Sequence, residues 1–260
     1  PRGATVSRRR STASASRRRG PPHRRADRRA QSTSGESDTI VRDLSELEGG
    51  EIGESLAVDC LLSGSGSGGK ASLEYTVDEG RELILTIADL SEGDVDATIR
   101  ISLMRGASVL VNLASVCPAG RRKVFRFDTI HLEGKTVSKV RMAGINAGNG
   151  TQLFYGTSDI LNGAHGSKTR QEGRITNLSP GSRSEVSPAL LIKDDDVDAS
   201  HGAALGAYDP EAMYYMMSRG LTEAESRKLI TLGSMNFVID SMQDRELAKE
   251  TEAALEALEI

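Results

Sequence analysis

The residue types best suited to chemistry gather between residues 185 and 233. His201 lies in Ala199-Ser200-His201-Gly202-Ala203-Ala204, a bed of small side chains through which a partner backbone or a metal cluster could approach the ring. One imidazole does not hold a metal by itself, so further ligands would have to come from elsewhere, including another chain. The plainer reading is a packed or surface histidine. Just upstream, Asp194-Asp195-Asp196-Val197-Asp198 supplies the carboxylates that hard cations take, but without the Gly and distal Glu of an EF-hand loop. A solvated turn ending a strand fits it better. His165 reads as a turn residue and His131 as a strand residue.

The other chemical groups are weaker. Gly64-Ser65-Gly66-Ser67-Gly68-Gly69-Lys70 satisfies the GxxxxGK part of a phosphate-binding loop. Ala71 then stands where a Ser or Thr hydroxyl must hold magnesium. The following Ser72-Leu73-Glu74-Tyr75-Thr76-Val77 alternates like a strand instead of opening a helix toward phosphate. Cys60 and Cys117 are the only thiols. Each lies in an apolar strand context that raises its pKa and makes it inert, and the pair is too sparse for a disulfide framework, which fits a reducing compartment. No Ser-His-Asp order, HExxH motif or convincing carboxylate pair is present. The Asn149-Gly150-Thr151 and Asn177-Leu178-Ser179 sequons carry little weight without a secretion signal.

The elements that must position these residues come in two textures. From residue 39 onward short strand-like runs follow one another, among them residues 83–87, 97–103, 108–113, 123–127 and 137–142, then 153–155, 174–178 and 189–192. Several alternate cleanly, as in Thr98-Ile99-Arg100-Ile101-Ser102-Leu103, which puts one face in a core and the other in water. A sandwich, a barrel and a parallel β-solenoid all suit such an array. Turns rich in Gly and Asn and a scarcity of hairpin Asn-Gly pairs favour the solenoid. After Tyr208 the period becomes helical. Asp209 can cap a helix with Pro210 at its first position and Gly220 as its stop. Thr222-Glu223-Ala224-Glu225 forms a capping box for a second helix, and residues 245–258 read as a third. The expected divisions are therefore an Arg/Ser-rich tail (1–38), a β-solenoid core (39–208) and a small C-terminal helical domain (209–260).

Composition limits the function classes. The first 35 residues hold eleven Arg, no Lys and one acid, Asp27, while the whole chain is net −4. The remainder is thus acidic, which argues against binding nucleic-acid phosphates there. The tail buries too little apolar surface to order itself. It is open to three readings: a passive or non-native extension, an organelle transit segment or a nucleic-acid-binding arm. No run approaches the roughly 18 apolar residues of a membrane span, so a soluble chain without a membrane partner is expected. Aromatics at 3% with no Trp leave little from which to build a carbohydrate-binding or catalytic cleft.

The chain resembles the SufB/SufD family of iron–sulfur cluster assembly proteins, closer to the SufD side. The resemblance rests on Gly166-Ser167 with Arg170-Gln171-Glu172, on Arg183-Ser184-Glu185-Val186 leading to Pro188-Ala189-Leu190-Leu191-Ile192, on Asp195-Asp196-Val197-Asp198-Ala199-Ser200-His201-Gly202-Ala203, and on Tyr214-Tyr215-Met216-Met217-Ser218-Arg219-Gly220-Leu221. It implies a right-handed parallel β-helix followed by helices that dock a SufC-type ABC ATPase, here through Pro210, Tyr214, Tyr215, Arg219, Gly220 and Leu221. It also implies pairing through the β-helix end with a SufB-type paralogue or with a second copy. His201 matches the histidine that family members place at that junction, a candidate ligand for iron or a nascent cluster. Two departures bear on this. Ala199 stands where SufD-type motifs often carry Cys, and Gly202 where SufB-type motifs carry a carboxylate. With no Cys beyond Cys117, the resemblance implies a non-enzymatic cytoplasmic scaffold that holds no cluster stably alone and shares one transiently with a partner. A transit role for the tail would put it in an organelle stroma or matrix instead. The N-terminal helical domain usual in the family is not legible, which suggests a fragment, a truncated gene model or a short divergent member. The competing class is a stand-alone β-solenoid binding protein or enzyme unrelated to iron–sulfur assembly.

Overall fold

The computed structural model describes residues 37–258. The readings of the tail fall on residues 1–36 and so lie outside the described residues. The described chain begins with β1 (Ser37–Val41), a 3-10 turn (Leu44–Glu46), β2 (Gly50–Ile52), β3 (Leu56–Gly64) and β4 (Gly69–Val77). It continues through β5 (Glu82–Ser91), β6 (Val95–Leu103), β7 (Ser108–Cys117), β8 (Arg122–His131) and β9 (Val137–Asn146). The last strands are β10 (Thr151–Ile160), β11 (Ser167–Asn177), β12 (Arg183–Ile192) and β13 (Val197–Gly206). Odd-numbered strands form a seven-stranded sheet in sequence order and even-numbered strands a six-stranded one, with every pair parallel. Each coil contributes one strand to each sheet. This is the mainly β, parallel β-solenoid that the strand texture and the family resemblance implied.

The registers turn alternation into columns. Residues facing the lumen of the seven-stranded sheet stack as Val58–Leu85–Val111–Val140–Gln171–His201 and Cys60–Ile87–Leu113–Met142–Gly173–Ala203. The six-stranded sheet answers with Leu73–Ile99–Phe127–Gly156–Pro188 and Ala71–Ala97–Phe125–Phe154–Val186. Branched and aromatic side chains stacked in this way form one continuous core, in which each fully buried Leu, Ile or Phe stabilises the fold by about 1.5–3 kcal/mol. Tight corners replace hairpins. Gly80 and Gly106 adopt φ of 67° and 68°, the left-handed region that glycine enters without a Cβ penalty, and the Gly80 N–H donates to Arg105 O on the next coil at 2.9 Å.

Three helices follow: α1 (Pro210–Ser218), α2 (Glu223–Ser241) and α3 (Arg245–Ala257). Their starts are those the sequence signalled. The Asp209 carboxylate accepts from the Glu211 N–H with Pro at the first turn, and Thr222 with Glu225 closes the capping box. Beyond α1 the helices turn back along the solenoid instead of standing past its last coil. α2 crosses the outer face of β9, β7 and β5, and α3 reaches β5 and β3. Met235, Val238, Met242, Leu247 and Leu255 bury themselves against Leu61, Ala88, Leu90, Ala114, Val116 and Ile145. Alanine at 88 and 114 brings the helix close to the sheet.

Candidate functional site

β12 and β13 are the last strands of their sheets, each paired on one side only. The final coil therefore presents two unpaired strand edges together with its lumen-facing side chains. His201 shares its parity with the buried Val140 and Gln171, so it belongs to the lumen column, yet it is exposed because no further coil of the described residues lies above it. Leu205 and Ile192, lumen-facing by the same registers, are 53% and 46% exposed. An open edge with apolar and imidazole groups beside it is a template for another chain's strand. Ala199 and Ala203, at the same parity, flank His201 along β13.

The acidic turn beside this end has one structural member. Asp195, Asp196 and Asp198 are exposed, but Asp194 is buried. Its carboxylate accepts from the N–H groups of Gly163 and Asp196, both at 3.0 Å, and meets His165 Nδ1 at 2.9 Å. Burial alone would raise its pKa; the two backbone N–H groups and the His165 ring more than offset that and hold it below the usual carboxylate range. Asp194 thus pins the corner before β11. Among the described residues no group of three or more His, Cys, Asp and Glu stands close enough to hold a metal ion. His201 stands outside any such group and offers a single imidazole donor.

Both thiols are buried, as their strand context implied. Cys60 is fully buried and burial drives its pKa far up; burial also pushes Cys117 up to about 11. The glycine-rich stretch is a solenoid corner: Lys70 is the second residue of β4, and no helix N-terminus follows it.

Two buried polar clusters in the lumen escaped the sequence reading. Lys123 and Asp89 are both fully buried, their charges 2.9 Å apart. Lys123 Nζ also donates to Ser91 Oγ and the Ser91 carbonyl, and Ser115 Oγ donates to the second Asp89 oxygen. On the other side His131 lies between Thr136 Oγ1 (2.6 Å) and Ser138 Oγ (2.9 Å), and Ser138 continues to Thr169, Ser158 and Gln171. Burial depresses the His131 pKa to about 4. The legible signal was polar residues at lumen-facing parity on successive strands.

The residues expected to dock an ATPase sit on and after α1. No residue of α1 is buried, and Tyr214 and Tyr215 are 77% and 58% exposed. Pro210 and Tyr214 line an apolar groove of about 410 Å³ with Leu178, Tyr208, Met213 and Met217. Arg219 stacks over the Tyr215 ring at 4.9 Å. Gly220, at φ 95°, ends the helix, and the Leu221 N–H reaches back to Met216 O. All six residues thus share one helix and its stop, whereas His201 stands apart on β13.

The family model for the SufBD core domain of the SUF iron–sulfur cluster assembly system matches residues 75–234. The chain belongs to the SufB/SufD family. The matched span of this SufBD core runs from β4 through the Gly233 region of α2, and so includes both the His201 end and the α1 surface. An iron–sulfur cluster assembly protein SufD of Bacillus subtilis is 30% identical over 132 residues, 51% of this chain and 30% of the relative. A SufBD family protein of Mycobacterium tuberculosis is 28% identical over 244 residues, 79% of this chain and 61% of the relative. A second M. tuberculosis SufBD protein is 31% identical over 104 residues, 40% of this chain and 12% of the relative. The chain therefore spans between about an eighth and three fifths of the SufBD relatives it matches. Among the described residues no helix is long and apolar enough to cross a membrane.

Proposed function

We propose that this SufB/SufD family chain is a non-catalytic, cytoplasmic scaffold subunit of an iron–sulfur cluster assembly complex. The observation that carries the proposal is the final coil, whose unpaired β12 and β13 edges and exposed lumen residues surround His201. A SufB-type paralogue stacking its own strands on this end would bury Leu205 and Ile192 and enclose the imidazole. Iron or a nascent cluster is then cargo held between two chains, with His201 as one ligand and sulfur or carboxylate ligands from the partner. The exposed tyrosines and apolar groove of α1 serve as the docking surface for a SufC-type ATPase.

The test is reconstitution of the chain with a SufB-type paralogue and a SufC-type ATPase, reading acid-labile sulfide and iron per complex. His201→Ala is expected to lower cluster yield while the complex still forms; equal yields would reduce His201 to a packing residue. Tyr214→Ala combined with Tyr215→Ala is expected to weaken capture of the ATPase alone, and undiminished capture would remove α1 from the docking surface. Sedimentation of the isolated chain separates pairing with a paralogue from pairing with itself.

A further inference from the structure

We infer that a groove between α2 and the outer face of the last coils binds a small phosphate-bearing anion. The groove has a volume of about 550 Å³, within the roughly 300–1,000 Å³ of pockets that take small organic ligands. It opens where α2, packed on β9, leaves β11 and β13 uncovered. Its floor is made of two outward columns, Arg141–Glu172–Gly202 and Ala143–Arg174–Ala204, and its wall of Gly233 and Ser234. These columns have the opposite parity to His201, so the groove lies on the other side of the sheet from the cluster-facing end. The inference does not rest on the scaffold reading.

Neither arginine of the groove has a carboxylate partner among the described residues. The Arg174 side chain makes no hydrogen bond or ion pair among the described residues. The Arg141 guanidinium rests 3.9 Å from the Phe237 ring centroid, again without a carboxylate partner. The one acid present, Glu172, is held by Arg170 from its own strand. Two arginines lining one groove, in a chain of net charge −4, favour an anion of more than one charge, and the guanidinium fork matches phosphate oxygens two at a time.

Two glycines leave the space open. Gly233 is in the interior of α2 and Gly202 in the interior of β13, positions where glycine weakens an element. Neither has a positive φ, and a Cβ built on either would meet nothing within 4 Å. Backbone conformation and close packing therefore leave both glycines unexplained, whereas a ligand lying against them accounts for both.

The probes are pyrophosphate, ADP and citrate, titrated calorimetrically into the full chain at low salt. Pyrophosphate and ADP are expected to bind saturably, and Arg174→Gln to weaken both by about tenfold or more, the scale of one charge-assisted hydrogen bond. Gly233→Leu is expected to block ADP by filling the groove, and Arg100→Gln, on the opposite sheet, to leave binding unchanged. Tighter binding of ADP than of pyrophosphate assigns a nucleotide, and equal binding assigns the phosphate group alone. The proposal is overturned if neither phosphate probe binds the wild type at millimolar concentration, if Arg174→Gln binds as the wild type does, or if citrate binds as tightly as pyrophosphate.

Discussion

His201 is stacked directly above Gln171 in one lumen column, and only the lower residue is covered: Gln171 is 1% exposed and its amide meets Ser158 Oγ at 2.6 Å. The pair separates structure from function along a single column. Gln171→Ala leaves Ser158 and its neighbours short of a partner and is expected to cost about 1–3 kcal/mol in urea unfolding. His201→Ala removes an exposed ring and is expected to change stability by no more than about 0.5 kcal/mol. A large loss for His201→Ala in the isolated chain would mean that the imidazole supports the fold.

Lys123 and Asp89 face each other inside the solenoid with both side chains fully buried. Removing one partner strands the other in a low-dielectric lumen, so Lys123→Met and Asp89→Asn are each expected to cost about 3–5 kcal/mol. The double variant Lys123→Met with Asp89→Asn removes both charges and is expected to recover most of that loss. A double-mutant cycle by chemical denaturation measures the difference; additive losses would show that the charges do not sense each other.

The solenoid was legible because its strands keep strict parity: Ile99 and Ile101, or Phe125 and Phe127, announce one face each. The capping signals at Asp209 and Thr222 were equally local, and they placed α1 and α2 closely. What the sequence concealed depends on register between coils. His131, Ser138 and Thr169 are far apart in the chain, and only the stacking of β8, β9 and β11 joins them. Asp194 looked like its acidic neighbours because the Gly163 N–H that selects it belongs to an earlier corner. The return of α2 and α3 along the sheet was hidden for a similar reason. Outward Leu61, Ala88 and Leu90 are buried like their lumen-facing neighbours, and two-sided burial of a strand removes the alternation that would show what covers it.

Asp59 joins the first coils to the last helix. Its Oδ2 accepts from the N–H groups of Gln243 (2.6 Å) and Asp244 (2.8 Å), at the corner between α2 and α3. Asp59→Ala would orphan both donors in a partly buried place and is expected to cost about 1–3 kcal/mol. Amide exchange gives the sharper test, because α3 should exchange faster while β7 to β11 keep their protection. Uniform acceleration would mean that the helices and the solenoid open as one unit.

His131 makes folding stability depend on mild acid. Its imidazole is buried between two hydroxyls, and burial lowers its pKa from 6.5 to about 4. Between those values the unfolded chain binds a proton that the native chain does not, so stability rises with pH through the window. The His131 contribution is fully present above about pH 6.5 and is lost as pH falls toward 4, at most about 1.4 kcal/mol per pH unit and about 3 kcal/mol in all. Urea midpoints measured from pH 7 to pH 4 should therefore fall more steeply for the wild type than for His131→Gln, which keeps a polar partner for Thr136 or Ser138 but cannot take the proton. Parallel profiles for the two proteins would place the acid sensitivity in the carboxylates and not in the lumen histidine.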